Sequence, residues 1–172
     1  MKYIVTGGAG FIGSNLVDEL VTQGHEVVVL DNLSTGLESN VNPKAKLVVC
    51  DIAGCSKSGS FRKVAEEEMK EVDTVFHLAA LARVQPSIEN PYKFNQINES
   101  GTLNMLEIAA NAGVRRFVFS SSSSVYGDVT EEELPTKENN SFNPMSPYAL
   151  NKLVGEEYCR LYSRIYNLET VC

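Results

Sequence analysis

Two features of this chain place chemically capable residues at informative spacing. Gly7, Gly10 and Gly13 punctuate Thr6-Gly7-Gly8-Ala9-Gly10-Phe11-Ile12-Gly13. The apolar run Tyr3-Ile4-Val5 precedes this stretch, and Phe11, Ile12, Leu16, Val17 and Leu20 recur at helical spacing after it. A glycine turn between a strand and a helix aims backbone N–H groups and the positive end of the helix dipole at one small volume, which suits a pyrophosphate. Asp31 ends the run His25-Glu26-Val27-Val28-Val29-Leu30, eighteen residues after Gly13. A carboxylate at that strand tip can accept both ribose hydroxyls of an adenosine. It would repel a 2′-phosphate, and no Arg or Lys follows before Lys44. The expected cofactor is therefore NAD rather than NADP. The plainer account, a turn-starting Asp in Asp-Asn-Leu-Ser-Thr-Gly, fits the position and spacing less well.

Further along, hydroxyls, a phenol and an amine recur in order. Ser120 to Ser124 follow the β-branched and aromatic run Phe117-Val118-Phe119, and Val125-Tyr126-Gly127 follow the serines. Hydroxyls at the carboxyl end of a parallel strand face the ligand crevice, which argues against a flexible serine linker. Tyr148 and Lys152 stand four apart, on one face of a helix. An ammonium beside a phenol favours the phenolate, which can then serve as general base and acid near neutral pH. An isolated pair of this kind more often has Lys152 bridging to Glu156 on a solvated face; the conjunction of turn, Asp31, serines and pair raises the catalytic reading. His77, ending Val75-Phe76-His77, is read as a hydrogen-bonded structural residue and is left out of the catalytic set.

These residues need a scaffold. Strands are expected over 2–6, 25–31, 46–51, 72–79 and 115–121, and helices over 11–23, 60–70, 93–112 and 147–166. Continuous Val/Ile/Leu runs typify parallel strands covered on both faces, and the βαβα order predicts a doubly wound α/β sheet with right-handed crossovers. Residues 55–60 read as a polar loop and 130–147 as a long surface loop. The 172 residues fit one domain, and the net charge of −7 argues against nonspecific binding to nucleic acid or an anionic membrane. No apolar run reaches the ~20 residues that span a bilayer, and no leader pattern precedes the first strand. Cys50, Cys55, Cys159 and Cys172 lack metal-ligand spacing, so no metal is expected; Cys50 and Cys159 read as reduced thiols in or near the core of a cytoplasmic protein. Asn167 to Cys172 look like a turn entering a sixth strand, and the chain is expected to be the N-terminal part of a longer protein, without a substrate subdomain.

The assembled motifs resemble the extended short-chain dehydrogenases/reductases, and more closely the NAD-dependent sugar epimerase/dehydratase family in its UDP-hexose 4-epimerase branch. The likeness runs through Thr6–Gly13, Asp31–Gly36, Asp51-Ile52, His77–Ala80, Asn98 with Gly101-Thr102, Ser122–Gly127 and Ser146–Lys152. It implies a Rossmann fold with helices on both faces. It also implies that Gly7, Gly10, Phe11, Ile12 and Gly13 surround the pyrophosphate. Asp31 would hold the adenosine ribose near Asn32, Ser34, Thr35 and Gly36; Asp51 and Ile52 would flank adenine; Leu78, Ala79, Ala80 and Asn98 would line the middle and nicotinamide end. Ser122, Tyr148 and Lys152 match the catalytic triad, with Tyr148 and Lys152 also contacting cofactor. Ser122, Ser123, Tyr148 and Arg83 are expected to meet the sugar nucleotide, although Arg83 reads equally well as a solvated loop residue.

The implied reaction is transient oxidation at the sugar C4, with Tyr148 taking the hydroxyl proton and Ser122 binding that oxygen; hydride returns to the other face of the keto sugar. Dehydratases and decarboxylases of the family resemble a Thr-Asp-Glu or Thr-Ser-Glu sequence before Val-Tyr-Gly. Ser122-Ser123-Ser124 carries no acid, which favours epimerisation. An NAD-binding module without turnover and a dehydratase or reductase are the competing readings. Helices 93–112 and 147–166 resemble the family's dimeric four-helix interface. Leu103, Leu106, Ala109, Ala110, Leu153, Tyr158, Leu161 and Tyr162 supply apolar surface for it, unless they face their own sheet.

Overall fold

Alternation of buried side chains shows why the strands form one sheet between two layers. The computed structural model describes residues 1–172. Its strands are β1 (Lys2–Thr6), β2 (Glu26–Asp31), β3 (Lys46–Val49), β4 (Thr74–His77), β5 (Arg116–Phe119) and β6 (Glu169–Val171). They pair in parallel, in the order β3-β2-β1-β4-β5-β6. Helix α1 (Phe11–Thr22) covers one face and α2 (Arg62–Glu68), α5 (Gly101–Asn111) and α6 (Pro147–Ile165) the other. Successive strand residues point to opposite faces. Ile4, Val28 and Leu30 accordingly join the core under α2, α5 and α6, whereas Val5, Val27 and Val29 pack with Val17 and Leu20 of α1. Each such fully buried side chain contributes roughly 1.5–3 kcal/mol, and together they hold the helices against the sheet.

One edge of the sheet carries the candidate site. In the β1–β4 register Thr6 pairs with His77, and β2–β3 pairing sets Asp31 opposite Val49, so Thr6, Asp31, His77 and Phe119 all end strands on one side. The sequence order reverses at β1, between β2 and β4, which is where doubly wound sheets open a ligand crevice.

Several boundaries differ from the sequence-based expectation. Helix α3 (Val84–Glu89) occupies a stretch for which no element is expected, since Pro86 and mostly exposed side chains hide its period. The expected helix 93–112 is continuous but changes pitch: α4 (Pro91–Phe94), a wide π-helical turn over Asn95–Ser100, then α5. The loop 130–147 contains one short turn, Glu131–Glu133, whose Thr130 and Glu133 form a capping box. The expected sixth strand forms within 167–172 as β6, and it pairs with β5.

Candidate functional site

The three motif glycines serve different ends. Gly7 has φ +72°, and a Cβ there would stand 2.8 Å from the Ala79 nitrogen, so glycine lets the turn close against the chain leaving β4. A Cβ on Gly13 would lie 2.2 Å from the Gly7 carbonyl oxygen. Gly10 has no such internal cause: only the Gly7 carbonyl, at 3.3 Å, lies near its would-be Cβ. It is the N-cap of α1, without a capping side chain, and it lines the crevice. The first N–H groups of α1 therefore have no side-chain partner, and Gly10 leaves them open to an anion. This cradle, which a methyl group would obstruct, fits the pyrophosphate of a dinucleotide.

The crevice is walled by Gly7 and Gly10, by Asp31, Asn32, Ser34 and Thr35 after β2, by Cys50 and Ile52 after β3, and by Leu78, Ala79 and Ala80 after β4. Asp31 combines both accounts of it. One carboxylate oxygen accepts from Ala9 N at 3.0 Å and the other from Leu33 N at 2.8 Å, with Leu33 in the left-handed region at φ 57°. Each oxygen keeps a lone pair, so a ribose can still be bound while the turn is fixed.

Five expected cofactor residues, Phe11, Ile12, Gly36, Asn98 and Asp51, lie around the crevice without lining it. Phe11 is 85% exposed and Ile12 is also exposed, so neither belongs to the buried stripe of α1; they project from its first turn. Gly36 is buried, and its would-be Cβ meets Ala9 at 2.8 Å: it lets the β2 loop lie on the glycine turn, where Leu37 N and Asn40 Nδ2 donate to the Ala9 carbonyl. Asn98, in the π-helical turn, spends both amide groups on Leu81, accepting from its N–H at 2.7 Å and donating to its carbonyl at 2.8 Å. It braces the β4 loop rather than lining the crevice. Asp51 accepts from Ala53 N and caps the turn Ile52–Cys55, presenting Ile52 to the crevice.

At the other end, α6 is seated with care. Ser146 caps it by accepting from Ala149 N, Pro147 starts it, and Tyr148 N donates to the buried Ser87 Oγ of α3 at 3.1 Å. Lys152 is only 4% exposed and donates to the Ser120 carbonyl at 2.7 Å, with its nitrogen 4.8 Å from the centre of the Phe119 ring. The solvated Lys152–Glu156 pair is thus not what forms. Burial lowers the Lys152 pKa to about 8. Glu156, one turn on, instead accepts from Ser121 Oγ at 2.5 Å and faces Arg160 at 3.5 Å. Lys152 and Glu156 together hold two consecutive residues of the serine segment. Ser122 Oγ accepts from Ser124 N and Ser124 Oγ, which leaves its own O–H free to donate. Ser122 and Tyr148 are half-buried, whereas Ser123 and Arg83 are exposed. Arg83 has φ 103° at the start of α3, an uncommon conformation for a side chain of that size.

His77 is structural, as expected, and its partners show how. Ala79 N donates to Thr6 Oγ1, which lies 2.9 Å from His77 Nδ1; His77 Nε2 lies 3.0 Å from Thr102 Oγ1, which donates to the Asn98 carbonyl. The directions are consistent with a neutral imidazole protonated at Nε2. Burial, helped by the Lys152 charge, lowers its pKa to about 3. The supporting parts of Thr6, Ser87, Thr102, Ser121 and Glu156 have no local signature, because each is made with a residue far along the chain.

A parallel sheet of this strand order, with a glycine cradle and an acid at the second strand tip, defines a Rossmann-type dinucleotide-binding domain. The comparison with known proteins narrows this. The NAD dependent epimerase/dehydratase family matches residues 3–172, and the chain belongs to that family, whose cofactor is NAD. The putative UDP-glucose 4-epimerase of Methanocaldococcus jannaschii is 45% identical over 169 residues, covering 96% of this chain and 52% of that protein. Among solved structures, the Thermotoga maritima UDP-glucose 4-epimerase with UDP-glucose has a TM-score of 0.90 at 37% identity, and the Thermus thermophilus enzyme with NAD 0.90 at 38%; each match covers 99% of this chain and 53% of the other. The chain thus spans about half the length of the relatives it matches.

Proposed function

We propose that this chain is the cofactor-binding and catalytic half of a nucleotide-sugar 4-epimerase acting on a UDP-hexose or UDP-N-acetylhexosamine. The observation that carries this is the buried Lys152 ammonium, on the helix face of Tyr148 and anchored to the Ser120 carbonyl at the start of the serine segment. In the reading, Gly7, Gly10 and the start of α1 bind the pyrophosphate, Asp31 the adenosine ribose and Ile52 the adenine, while Leu78, Ala79 and Ala80 pass along the middle. Bound NAD supplies reversible hydride exchange. Tyr148 accepts and returns the C4 hydroxyl proton, Ser122 donates to that oxygen, and Lys152 presents its charge to Tyr148 and the cofactor ribose. Arg83, with the exposed Ser123, would meet the nucleotide sugar. The Ser-Ser-Ser sequence at 122–124, without an acid, supports epimerisation over dehydration.

Turnover of UDP-glucose and UDP-N-acetylglucosamine, measured in a chain extended by the C-terminal half its relatives carry, tests the reading. Tyr148→Phe should abolish turnover and leave NAD bound; retained turnover removes Tyr148 from the role. A module that binds NAD without turnover is the second reading: it predicts NAD binding with no epimerisation in either chain.

We also place the protein in a reducing, cytoplasmic compartment, which its four free thiols suit. No helix is long and apolar enough to cross a membrane. Homodimerisation through α5 and α6 is part of the proposal, with a changed residue set. Leu106, Ala109 and Tyr162 are buried in the chain's own core, and Leu103, Ala110 and Tyr158 pack against it. The outward apolar positions of α6 are Leu150, Leu161 and Ile165. Sedimentation as a monomer at micromolar concentration would count against the dimer.

A further inference from the structure

Two of the four cysteines meet in the fold. Cys50 follows β3 and Cys55 ends the turn Ile52–Cys55; both are buried, and their sulfurs lie 3.5 Å apart. A disulfide needs about 2.05 Å, so closing the gap takes roughly 1.5 Å of movement. Cys50, although only 1% exposed, is among the residues that line the crevice beside Ile52 and Asp31, whereas Cys55 is not.

We propose that Cys50 and Cys55 are a dithiol modification site for a hydroperoxide, and that their disulfide closes the adenine end of the crevice to NAD. The gating half rests on the reading of this crevice as the NAD site.

The geometry assigns the two thiols different parts. Cys55 sulfur approaches both Cys50 sulfur and, at 3.4 Å, the Asp51 carbonyl. Cys50 lines the crevice and Cys55 does not, so Cys50 is the thiol that meets the peroxide, and its contact with Cys55 holds it below its usual pKa despite burial. Cys50 is therefore the attacking thiolate. Its sulfur attacks one peroxide oxygen, the O–O bond breaks, and the other oxygen leaves and takes up a proton as water; Cys50 becomes a sulfenic acid. The Cys55 sulfur then attacks the Cys50 sulfur, the S–O bond breaks, and the oxygen leaves with the Cys55 proton as a second water. Two thiols are oxidised and one hydrogen peroxide is reduced to two waters.

The required movement falls on the crevice wall. Cys50 N donates to the Asp31 carbonyl at 3.0 Å, so Cys50 is held by β2. Cys55 must approach it, drawing on the turn that carries Ile52. That turn is set by Asp51 Oδ1 on Ala53 N and by Asn104 Nδ2 on the Ile52 carbonyl, both at 2.9 Å, and the Ile52 side chain rests where a Cβ on Gly101 would stand 2.8 Å away. Moving the turn displaces Ile52 from the site expected for adenine. By linkage, bound NAD disfavours the disulfide at equilibrium by the same factor that the disulfide weakens NAD binding.

The 172-residue chain, with Cys159→Ser and Cys172→Ser to silence the other thiols, would be treated with hydrogen peroxide with and without NAD. The expected result is a peptide linkage between Cys50 and Cys55, slowed by NAD, with the NAD dissociation constant raised roughly tenfold and restored by dithiothreitol. Cys55→Ser and Cys55→Ala should give no linkage and, once treated and then exposed to dithiothreitol, unchanged NAD affinity. Oxidation of Cys50 to the sulfinic acid without linkage would overturn the dithiol. Linkage with unaltered NAD affinity, in a chain whose circular dichroism is unchanged, would overturn the gating. Failure of the reduced chain to bind NAD would overturn the crevice reading and the gating with it, while peptide mapping would still decide the dithiol.

Discussion

Acidification should unfold this protein through His77, and the size of the effect follows from its surroundings. The imidazole is fully enclosed and neutral, wedged between Thr6 and Thr102, with its pKa lowered from 6.5 to about 3. The folded state thus binds fewer protons than the unfolded state between those values. Stability from this group is complete above about pH 6.5 and is lost as the pH falls towards 3, with a slope of about 1.4 kcal/mol per pH unit. At pH 5 the loss is about 2 kcal/mol, and across the whole window it approaches about 5 kcal/mol. Replacement by Gln removes the titration. It carries a fixed cost of about 1–3 kcal/mol for disturbed hydrogen bonds, which does not depend on pH and cancels from the slope. Urea unfolding followed by circular dichroism, at half-unit steps from pH 7.5 to 4.5, would compare wild type with His77→Gln. The wild type should lose about 2 kcal/mol more than the variant between pH 6.5 and 5. Parallel curves would refute the assignment, as would a His77 ring signal titrating above pH 5 in the folded protein.

The ammonium of Lys152 is buried at a cost, since its pKa is lowered from 10.5 to about 8. Lys152→Met should therefore stabilise the chain by about 1–3 kcal/mol at pH 7 while weakening NAD binding. Wild-type stability should rise between pH 8 and 10.5, because the folded state releases its proton first, and the variant should lack that rise; urea curves at pH 7 and 9.5 check both. Gly10→Ala should change stability by less than about 1 kcal/mol yet lower NAD affinity tenfold or more, whereas Gly13→Ala, forced against the Gly7 carbonyl, should cost about 2 kcal/mol or more; calorimetry and denaturation separate the two. Glu156→Ala frees Ser121 and should cost about 1–3 kcal/mol. In the extended chain it should lower kcat more than it raises KM, with partial rescue by Glu156→Gln, and an unchanged kcat would deny Glu156 a positioning role.

Local patterns alone determined much of this protein. The Val-Val-Val-Leu run of β2, the apolar bracket around the glycine turn and the Ser-Pro start of α6 each contain their own explanation: period, propensity and capping act over a few residues. So the parallel sheet, its crevice, Asp31, the serine run and the Tyr148–Lys152 pair were legible in the sequence, while the choice of Ser122 within that run came from the family resemblance. Tertiary structure decided what those residues touch. That Lys152 meets the Ser120 carbonyl rather than Glu156, that Asn98 braces Leu81, that Phe11 is exposed and Leu106 buried, and that Cys50 finds Cys55 all depend on register and packing between elements. Thr6, His77 and Thr102 are ordinary residues in their own stretches and become one hydrogen-bonded chain only because β1, β4 and α5 are brought side by side. Contacts of that kind are fixed by where whole elements lie against one another, and no window along the chain encodes them.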